Sequence, residues 1–420
     1  MYLDLHVNNL NNSGSVEALI PRSLLIINNN INPKVNSEGL ASVKVSWEKG
    51  LVSNIDPLKN NDSKLNKILF PRFVEPHAHF DKSFSWLSFP NLKSNYENAL
   101  SVNLEEHITR TSCKVINRAE KSLNLAVENG YRAIRTHVDT YNFQDQTIWP
   151  KLLELRQKYL SLITLQYVAL APLEFWSSKD GEKLAKNLKK SGDIIGGVVV
   201  PPFNKQKLKN LLSNMILLAS KYNLEIDLHI DESSHSPGAG IKLLLRTIKN
   251  LKCKVPITCS HLSSISLLKN RAIKNLSKQL VENNIKVIAL PLTNFWLLNH
   301  ESNELPIIRP VAPIKQLQNF FVDVSVGSDN VQDPWYPFGN FDPFYLMSLA
   351  IPMLQINPWD RLSMSALLTA PSRLLNLSWD GIIRGGCPAD FVILNGTSWA
   401  HVVSGNVKKE VRIKGTIYER

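Results

Sequence analysis

Cysteine is scarce in this chain, with four residues among 420. They are widely spaced and form no Cys-x-x-Cys pair: Cys113, Cys253, Cys259 and Cys387. Closely spaced cysteine pairs are what zinc ribbons and disulfide frameworks require, so neither is indicated. We therefore expect reduced thiols and a reducing compartment, the cytoplasm.

No apolar run is long enough to predict a transmembrane helix. The longest apolar run, near Phe344–Ile356, contains Pro352 and is too short to span a bilayer. Met1–Ser15 lacks a basic start followed by an apolar stretch, so no signal peptide is predicted. Hydrophobic residues make up 44% of the chain and charged residues 20%. This composition predicts a soluble globular protein with no membrane partner.

The formal net charge is +12, which raises the question of a nucleic-acid partner. The lysines are scattered along amphipathic segments such as Glu182–Lys190, where Leu184 and Leu188 recur at helical spacing. Solvated helix faces explain such a pattern, so we expect no nucleic-acid binding.

Both ends of the chain have antiparallel strand character. Val43, Val45 and Trp47 alternate with polar residues before the turn Glu48–Gly50. Similar patterns close the chain at Phe391–Leu394, His401–Val403 and Val411–Lys414. We expect residues 1–70 and 376–420 to form one small β-sandwich domain, which the chain leaves and then re-enters.

Between the two ends, residues 71–375 alternate strand and helix patterns. The predicted strands are Ile68–Val74, Ala133–Val138, Ile163–Ala169, Ile194–Val200, Glu225–Ile230, Ile257–Ser260, Val287–Leu292 and Val322–Val326. The predicted helices include Glu105–Glu128, Lys205–Tyr222, Ile241–Leu251 and Leu267–Asn283. Eight strands alternating with helices predict an α/β fold, a (β/α)8 TIM-type barrel, whose functional residues follow the carboxyl ends of the strands.

The first barrel strand ends in His77-Ala78-His79. Residues two apart in a strand share a face, so both imidazoles can reach one metal ion. In isolation, such a pair is more often two hydrogen-bonded core histidines.

Polar residues at the other strand ends favour the metal interpretation. They are His137 and Asp139 after strand two, His229 and Glu232 after strand five, His261 after strand six, Asn294 after strand seven and Asp329 after strand eight. Five of the ten histidines thus fall at one mouth of the predicted barrel.

This set of residues suits hydrolysis. Three neutral imidazoles and a carboxylate are ligands for a borderline divalent ion such as zinc or iron, with one position open for water. Such an ion lowers the pKa of the water toward neutrality. A carboxylate that is not a ligand can then move a proton to the leaving group, and Glu232 is placed for this. His261 can polarise or stabilise the reacting oxygen.

Several segments, in order, resemble the amidohydrolase superfamily and, within it, the cytosine deaminase-like branch. They are Val74–Asp81, Arg135–Asp139, Asp227–Glu232, Ser260–His261 and Ser328–Pro337. The resemblance extends over nearly the whole chain, including both ends.

The resemblance implies roles for matching residues. His77, His79, His229 and Asp329 resemble the metal ligands of the mononuclear members. Glu232 resembles the proton shuttle and His261 the second catalytic histidine, while Asp329 would also accept a proton from the attacking water. Binuclear relatives carry a carboxylated lysine at the end of strand four. The segment Gly196–Pro201 has no lysine, so one metal ion per chain is expected.

Two departures from the branch concern the substrate. The glutamine that holds cytosine after strand three is missing from Ala169–Trp176, and Asn330 follows Asp329 where the cytosine enzyme has a second aspartate. Cytosine is therefore a doubtful substrate. We predict substrate contacts from Glu174, Trp176, Asn330 and Trp335. Alternatively, Glu174 faces solvent and Trp335 belongs to the core.

Three functional hypotheses follow. The leading one is a hydrolase of carbon–nitrogen bonds in cyclic amidines, a deaminase of an amino-substituted nitrogen heterocycle. The second keeps the metal but cleaves a cyclic amide or an N-substituted amine on such a ring. The third is a catalytically silent barrel used as a binding module.

The expected partner is a small heterocycle, and assembly into a homo-oligomer is left open. His137 and Asp139 are predicted to support the barrel mouth, with metal binding as the alternative.

Overall fold

The computed structural model describes residues 12–27, 32–58, 65–140, 148–251, 254–300, 304–405 and 407–419. Cys253 and most of Met1–Ser15 lie outside these ranges. Among the described residues, no helix combines the length and apolar character needed to cross a membrane.

The strands of the described residues fall into two sheets. In chain order they are β1 Gly14–Pro21, β2 Leu40–Glu48, β3 Leu51–Pro57, β4 Lys67–Pro71, β5 Phe73–Ala78, β6 Tyr131–Asp139, β7 Thr164–Leu170, β8 Ile194–Val199, β9 Ile226–Ile230, β10 Ile257–His261, β11 Lys286–Ala289, β12 Val324–Val326, β13 Phe391–Asn395, β14 Lys409–Ile413 and β15 Thr416–Ile417.

Helices connect most of the barrel strands. They are α1 Tyr96–Thr109, α2 Ser112–Glu128, α3 Ile148–Lys158, α4 Lys179–Ser191, α5 Lys205–Tyr222, α6 Ala239–Leu251, α7 Asn270–Glu282, α8 Pro291–Leu297, α9 Ile314–Asn319, α10 Pro343–Leu354, α11 Arg361–Met364, α12 Ala370–Leu374 and α13 Trp399–Val403.

The terminal strands pair into one seven-stranded sheet in the order β15-β14-β13-β4-β1-β2-β3. Chain ends that are distant in sequence meet where β13 pairs antiparallel with β4. The β2–β3 hairpin turns at Lys49 and Gly50, both with positive φ, as tight hairpin turns require. Trp47 packs edge-on against Phe391, joining the two ends in one apolar core.

The other eight strands form a parallel sheet in the order β12-β11-β10-β9-β8-β7-β6-β5. A bridge between Ala78, at the end of β5, and Asp329, just after β12, connects the two edges. The predicted (β/α)8 barrel is confirmed. Because its strands are parallel, their carboxyl ends share one mouth.

The predicted strand Ile68–Val74 is two strands, β4 in the terminal sheet and β5 in the barrel. Arg72 lies between them, where the chain passes from one sheet to the other. Its buried guanidinium donates to the carbonyls of Tyr131 and Leu162, and its backbone N–H donates to Asp390. An apolar pattern alone does not reveal such a transfer between sheets.

The predicted helix Glu105–Glu128 is likewise two elements, α1 and α2. Arg110 leaves the helical conformation, and the Thr111 side chain accepts a hydrogen bond from the backbone of Lys114, capping α2. The break allows the Arg110 side chain to enter the barrel mouth.

Two other predictions were wrong in detail. His401–Val403 lies in helix α13, because Trp399 binds Glu38 through both its backbone N–H and its indole, which folds the segment against the terminal sheet. Strand seven ends at Ala289, and Leu292 already belongs to α8.

Candidate active site

Five imidazoles converge at the mouth of the barrel. The ring centroid of His77 lies 5.1 Å from that of His79, 3.9 Å from that of His137, 4.7 Å from that of His229 and 5.8 Å from that of His261. All five side chains are buried. The strand-end histidines predicted from sequence therefore form one cluster.

Two groups in this cluster could hold a metal ion, with ligand atoms within 4.8 Å of one another: His77, His137 and His229, and His77, His261 and Asp329. A tighter set is centred on His79. Its Nε2 lies 3.3 Å from His77 Nε2, 3.2 Å from His229 Nε2 and 3.3 Å from Asp329 Oδ1. His77 Nε2 lies 3.5 Å from the same Asp329 oxygen.

These separations are the size of a tetrahedral coordination shell. Zinc–nitrogen bonds of about 2.0–2.1 Å place neighbouring ligand atoms about 3.3–3.4 Å apart in a regular tetrahedron. Both carboxylate oxygens of Asp329 are buried, and neither receives a well-aligned hydrogen bond from the described residues, although the Thr293 hydroxyl approaches them as a weak donor. A buried carboxylate without well-aligned donors is costly unless a cation lies beside it. The four side chains thus fit a divalent ion.

Burial keeps these imidazoles neutral. Burial lowers the pKa values of His77, His137 and His229 well below the ordinary value. Repulsion from positive charge on neighbouring histidine and lysine side chains lowers them further. Burial also lowers the pKa values of His79 and His261 to about 3. Neutral imidazole is the form that binds metal, so the site is in the correct protonation state at neutral pH.

Hydrogen bonds behind the cluster orient His77. The Ser260 hydroxyl donates to Asp227 Oδ1 at 2.8 Å, and Asp227 Oδ2 accepts from Arg135 at 3.0 Å. Since the hydroxyl has one hydrogen, it must accept from His77 Nδ1, 3.0 Å away. The lone pair of His77 is then on Nε2, the atom that faces the other candidate ligands.

Glu232 and His261 lie beside the candidate ligands. Glu232 Oε1 is 3.4 Å from His261 Nδ1, and Asn294 Nδ2 is 2.9 Å from the same nitrogen and 3.3 Å from Glu232. With Asn294 donating, His261 Nδ1 is an acceptor and its hydrogen is on Nε2, which has no other partner among the described residues. Burial, and then the charge of Asp329, raise the pKa of Glu232 well above its usual range.

The backbone at the site adopts conformations that few side chains favour. His261 has φ 71° and Asp329 has φ 67°, both in the left-handed region. Asp329 is held there by its N–H, which donates to the carbonyl of His77, and by Glu75, which accepts from the backbone and hydroxyl of Ser328. Strained positions at a barrel mouth are typical of functional residues.

A cavity of about 1050 Å³ opens onto this cluster. Its inner end contains His79, His229, Glu232, His261 and Asp329. Its walls are largely apolar, with leucine, valine and proline side chains from the loops that follow the strands. The volume is at the upper end of the range of about 300–1,000 Å³ usual for small-molecule sites.

Three of the four predicted substrate-binding residues line this cavity: Glu174, Asn330 and Trp335. Glu174 is on the outer rim and pairs with Lys207 at 2.8 Å, with 54% of its side chain exposed. Asn330 is buried and donates to Asp333. The ring of Trp335 packs edge-on against Tyr96.

Trp176, the fourth residue, does not line the cavity. Its side chain is buried in the core, and its indole donates to the carbonyl of Gly196 at 2.8 Å. Two further aromatic residues, Phe295 and Trp296, are absent from the lining as well. Trp176 is therefore a core residue, because its indole N–H finds an acceptor among the barrel strands. Phe295 and Trp296 are partly buried and lie outside the cavity.

Lys82 and Tyr96 line the cavity without having been predicted. Lys82 pairs with Asp139 at 2.9 Å, and Arg110 joins Asp139 to Asp81. The one signal in the sequence was Asp81-Lys82, a charged pair directly after a buried strand. Tyr96 begins α1, and no motif marked it.

Comparisons with known proteins agree with this architecture. Residues 187–418 match the family model described as the amidohydrolase family. A pterin deaminase from Rhizobium rhizogenes is 27% identical over 397 residues, covering 92% of this chain and 90% of the relative. An N-isopropylammelide isopropyl amidohydrolase from a Pseudomonas species is 25% identical over 350 residues, covering 81% of this chain and 83% of the relative.

Among solved structures, 5-methylcytosine deaminase from Klebsiella pneumoniae superposes with a TM-score of 0.79 at 20% identity. The match covers 97% of this chain and 98% of that one. At this identity the match shows the shared fold. The family model matches more than half of the chain, so the chain belongs to the amidohydrolase family.

Proposed function

We propose that this protein is a metal-dependent hydrolytic deaminase, which removes an amino group from an amino-substituted nitrogen heterocycle. The observation that carries the proposal is the set of candidate ligand atoms around His79 Nε2, which lies 3.2–3.3 Å from those of His77, His229 and Asp329, beside a buried acid outside the set. A hydrolase of carbon–nitrogen bonds in cyclic amidines needs both parts, a site for a divalent ion and a separate proton carrier.

In this proposal His77, His79, His229 and Asp329 hold one divalent ion per chain, either zinc or iron. When bound, that ion supplies water activated for attack at neutral pH. Asp329 accepts a proton, and Glu232 passes one to the leaving amino group. His261 donates from Nε2 to the oxygen that develops negative charge at the reacting carbon.

The proposed substrate is a ring other than cytosine. The cavity is large for a single pyrimidine, and Trp335 with Tyr96 offers an aromatic wall on which a flat ring can stack. Relatives whose names specify a pterin and an isopropylammelide support this choice. Asn330 and Trp335 are the proposed substrate contacts that face the cavity, whereas the predicted contact Glu174 lies on its solvated rim.

A second candidate is cleavage of an N-substituted amine on such a ring. The apolar walls near Leu100, Leu173 and Leu211 favour it, because they would accommodate an alkyl group. A silent binding module is disfavoured, since all six proposed ligand and catalytic residues are present. A cytoplasmic location and homo-oligomerisation stay predictions.

The test combines metal analysis with a screen for released ammonia or amine. Amino-pyrimidines, amino-triazines, pterins and N-alkyl derivatives would be offered to purified, metal-loaded protein. His77→Ala and His229→Ala should each lose most of the metal, whereas His401→Ala on α13 should retain it. Full metal occupancy in both site variants would contradict the ligand assignment. Release from none of the rings would contradict the activity.

A further inference from the structure

A buried ammonium group lies on the cavity wall beside the candidate metal ligands. Lys82 is 3% exposed, and it lines the cavity together with His79 and Asp139. Its Nζ lies 2.9 Å from Asp139 Oδ2. An ammonium has three N–H donors, and within the described part of the chain Asp139 alone is within hydrogen-bonding reach. Two donors are therefore available to a ligand.

Neighbouring charges hold this ammonium in place. Arg110 Nη1 lies 2.9 Å from the Asp139 oxygen that Lys82 contacts, and 2.7 Å from Asp81 Oδ2. The backbone N–H of Asp139 also donates to Asp81, and Glu106 pairs with the other side of Arg110. Because Asp139 is fixed on two sides, the position of Lys82 is fixed as well.

Lys82 remains charged in this setting. Burial lowers the pKa of Lys82, but the carboxylates of Asp139 and Asp81 raise it further, and the net pKa is above the ordinary value. A permanently protonated amine cannot act as a base at neutral pH. It can act as a strong hydrogen-bond donor.

Strand order places Lys82 across the mouth from the proposed proton carriers. Lys82 follows β5, and Asp139 ends β6. Glu232 follows β9, and His261 ends β10. Positions four strands apart in an eight-stranded barrel are on opposite sides. A flat ring with its leaving amino group toward Glu232 and His261 would therefore present another edge to Lys82.

We propose that Lys82 determines specificity by donating hydrogen bonds to an exocyclic oxygen on that edge, so the substrate class is amino-heterocycles that also carry an oxo group. This inference rests on the proposed deaminase function, which sets the orientation of the ring. A ring without the oxygen would leave a buried ammonium partly unpaired, which costs more than the loss of an exposed contact. Lys82 thereby supplies a polar ring contact in a chain that lacks the glutamine after strand three.

The test compares matched rings with and without the oxygen. Pterin would be paired with 2-aminopteridine, and isocytosine with 2-aminopyrimidine. In Lys82→Met, kcat/KM for the oxo ring should fall by about 10–100-fold, the effect of one charge-assisted hydrogen bond, and that for its partner by less than about threefold. Lys82→Arg should preserve the discrimination. Lys207→Met, a lysine on the rim of the same cavity, should leave the ratio unchanged.

Binding supplies a readout that does not require turnover. Calorimetry with lumazine, a dioxo ring without an amino group, should show the same weakening in metal-loaded Lys82→Met. If lumazine binding depends on Lys82 while no ring releases ammonia, the inference stands and the proposed function fails. Equal losses on both rings of each pair, or loss of the metal in Lys82→Met, would assign Lys82 a structural role and overturn the inference. Wild-type protein that neither binds lumazine nor prefers an oxo ring would overturn it as well.

Discussion

The inner end of the cavity and its rim differ in burial and in chemistry. At the inner end, Asp329 and Glu232 are buried carboxyl groups whose pKa values are raised by burial. At the rim, Glu174 and Lys207 form an ion pair in which both side chains are more than half exposed. Buried charges are costly and persist where a cation or a reaction uses them, whereas exposed pairs contribute little. We therefore assign the chemistry to the inner end, and the following substitutions test that division.

The largest effect is expected from Glu232→Gln. The amide keeps the shape of the side chain but cannot carry a proton, so kcat should fall by about 10²–10⁴-fold while the metal remains bound. Elemental analysis and turnover of the same preparation would check both parts. Glu282→Gln, at the exposed end of α7, is the matched control. Near-normal turnover in the metal-loaded Glu232 variant would show that another group moves the proton.

The next largest effect is expected from Glu75, the buried carboxyl group that binds Ser328 beside the candidate ligand Asp329. Burial raises the pKa of Glu75 to about 7, from an ordinary value of 4.5. The folded state therefore binds a proton more tightly than the unfolded state, and this stabilisation is lost as the pH rises from about 4.5 through 7. Glu75→Gln removes the titration, and its amide can still donate to the oxygens of Ser328 and Tyr131, which contact Glu75.

Wild type should consequently lose about 3 kcal/mol of unfolding free energy relative to Glu75→Gln over that pH interval. Denaturant unfolding at a series of pH values would measure the difference. Glu174→Gln, whose carboxyl is half exposed, should run parallel to wild type. If the unfolding free energies of Glu75→Gln and wild type change with pH in parallel, Glu75 does not titrate in this range.

A smaller effect is expected behind the ligand His77. Ser260→Ala removes the hydroxyl that accepts from His77 Nδ1, so the tautomer and ring orientation are no longer fixed. Metal affinity should weaken by about 10–100-fold, measured by competition with a chelator. Ser277→Ala, which removes a buried hydroxyl on α7 bound to the carbonyl of Ile273, controls for loss of a buried serine. Equal affinities in the two variants would remove Ser260 from the site.

How far the sequence predicts this molecule depends on the kind of residue. His77 and His79 could be placed because a strand alternates its faces and barrel strands end at one mouth. The roles of Asp329 and Glu232 could be predicted because the segments that contain them follow one another in the same order as in the family. Trp176 could not be placed, since its role depends on whether Gly196 accepts its indole N–H, and that contact spans two elements.

The same limit applies to breaks and loops. Arg110 reads as part of a continuous helix until Asp81 and Asp139 are known to lie within reach of its side chain. Lys82 looks like an exposed turn lysine, and only the folded barrel shows that it is buried. Local sequence patterns predict helices and strands. Ion pairs between segments that are distant in sequence can be seen only in the tertiary structure.

The smallest effect is expected at the rim, from Glu174→Gln. The carboxylate pairs with Lys207 in a solvated position, where ion pairs contribute about 0–1 kcal/mol. If Glu174 only lines the entrance, kcat/KM for every ring in the screen should change by at most about fivefold, and by similar factors. If kcat/KM instead falls mainly for rings whose N–H group could donate a hydrogen bond to the carboxylate, Glu174 is a direct substrate contact. Steady-state kinetics on the matched ring pairs would separate the two outcomes. Because Lys207→Met removes the partner charge, it should reproduce the uniform result and not the selective one.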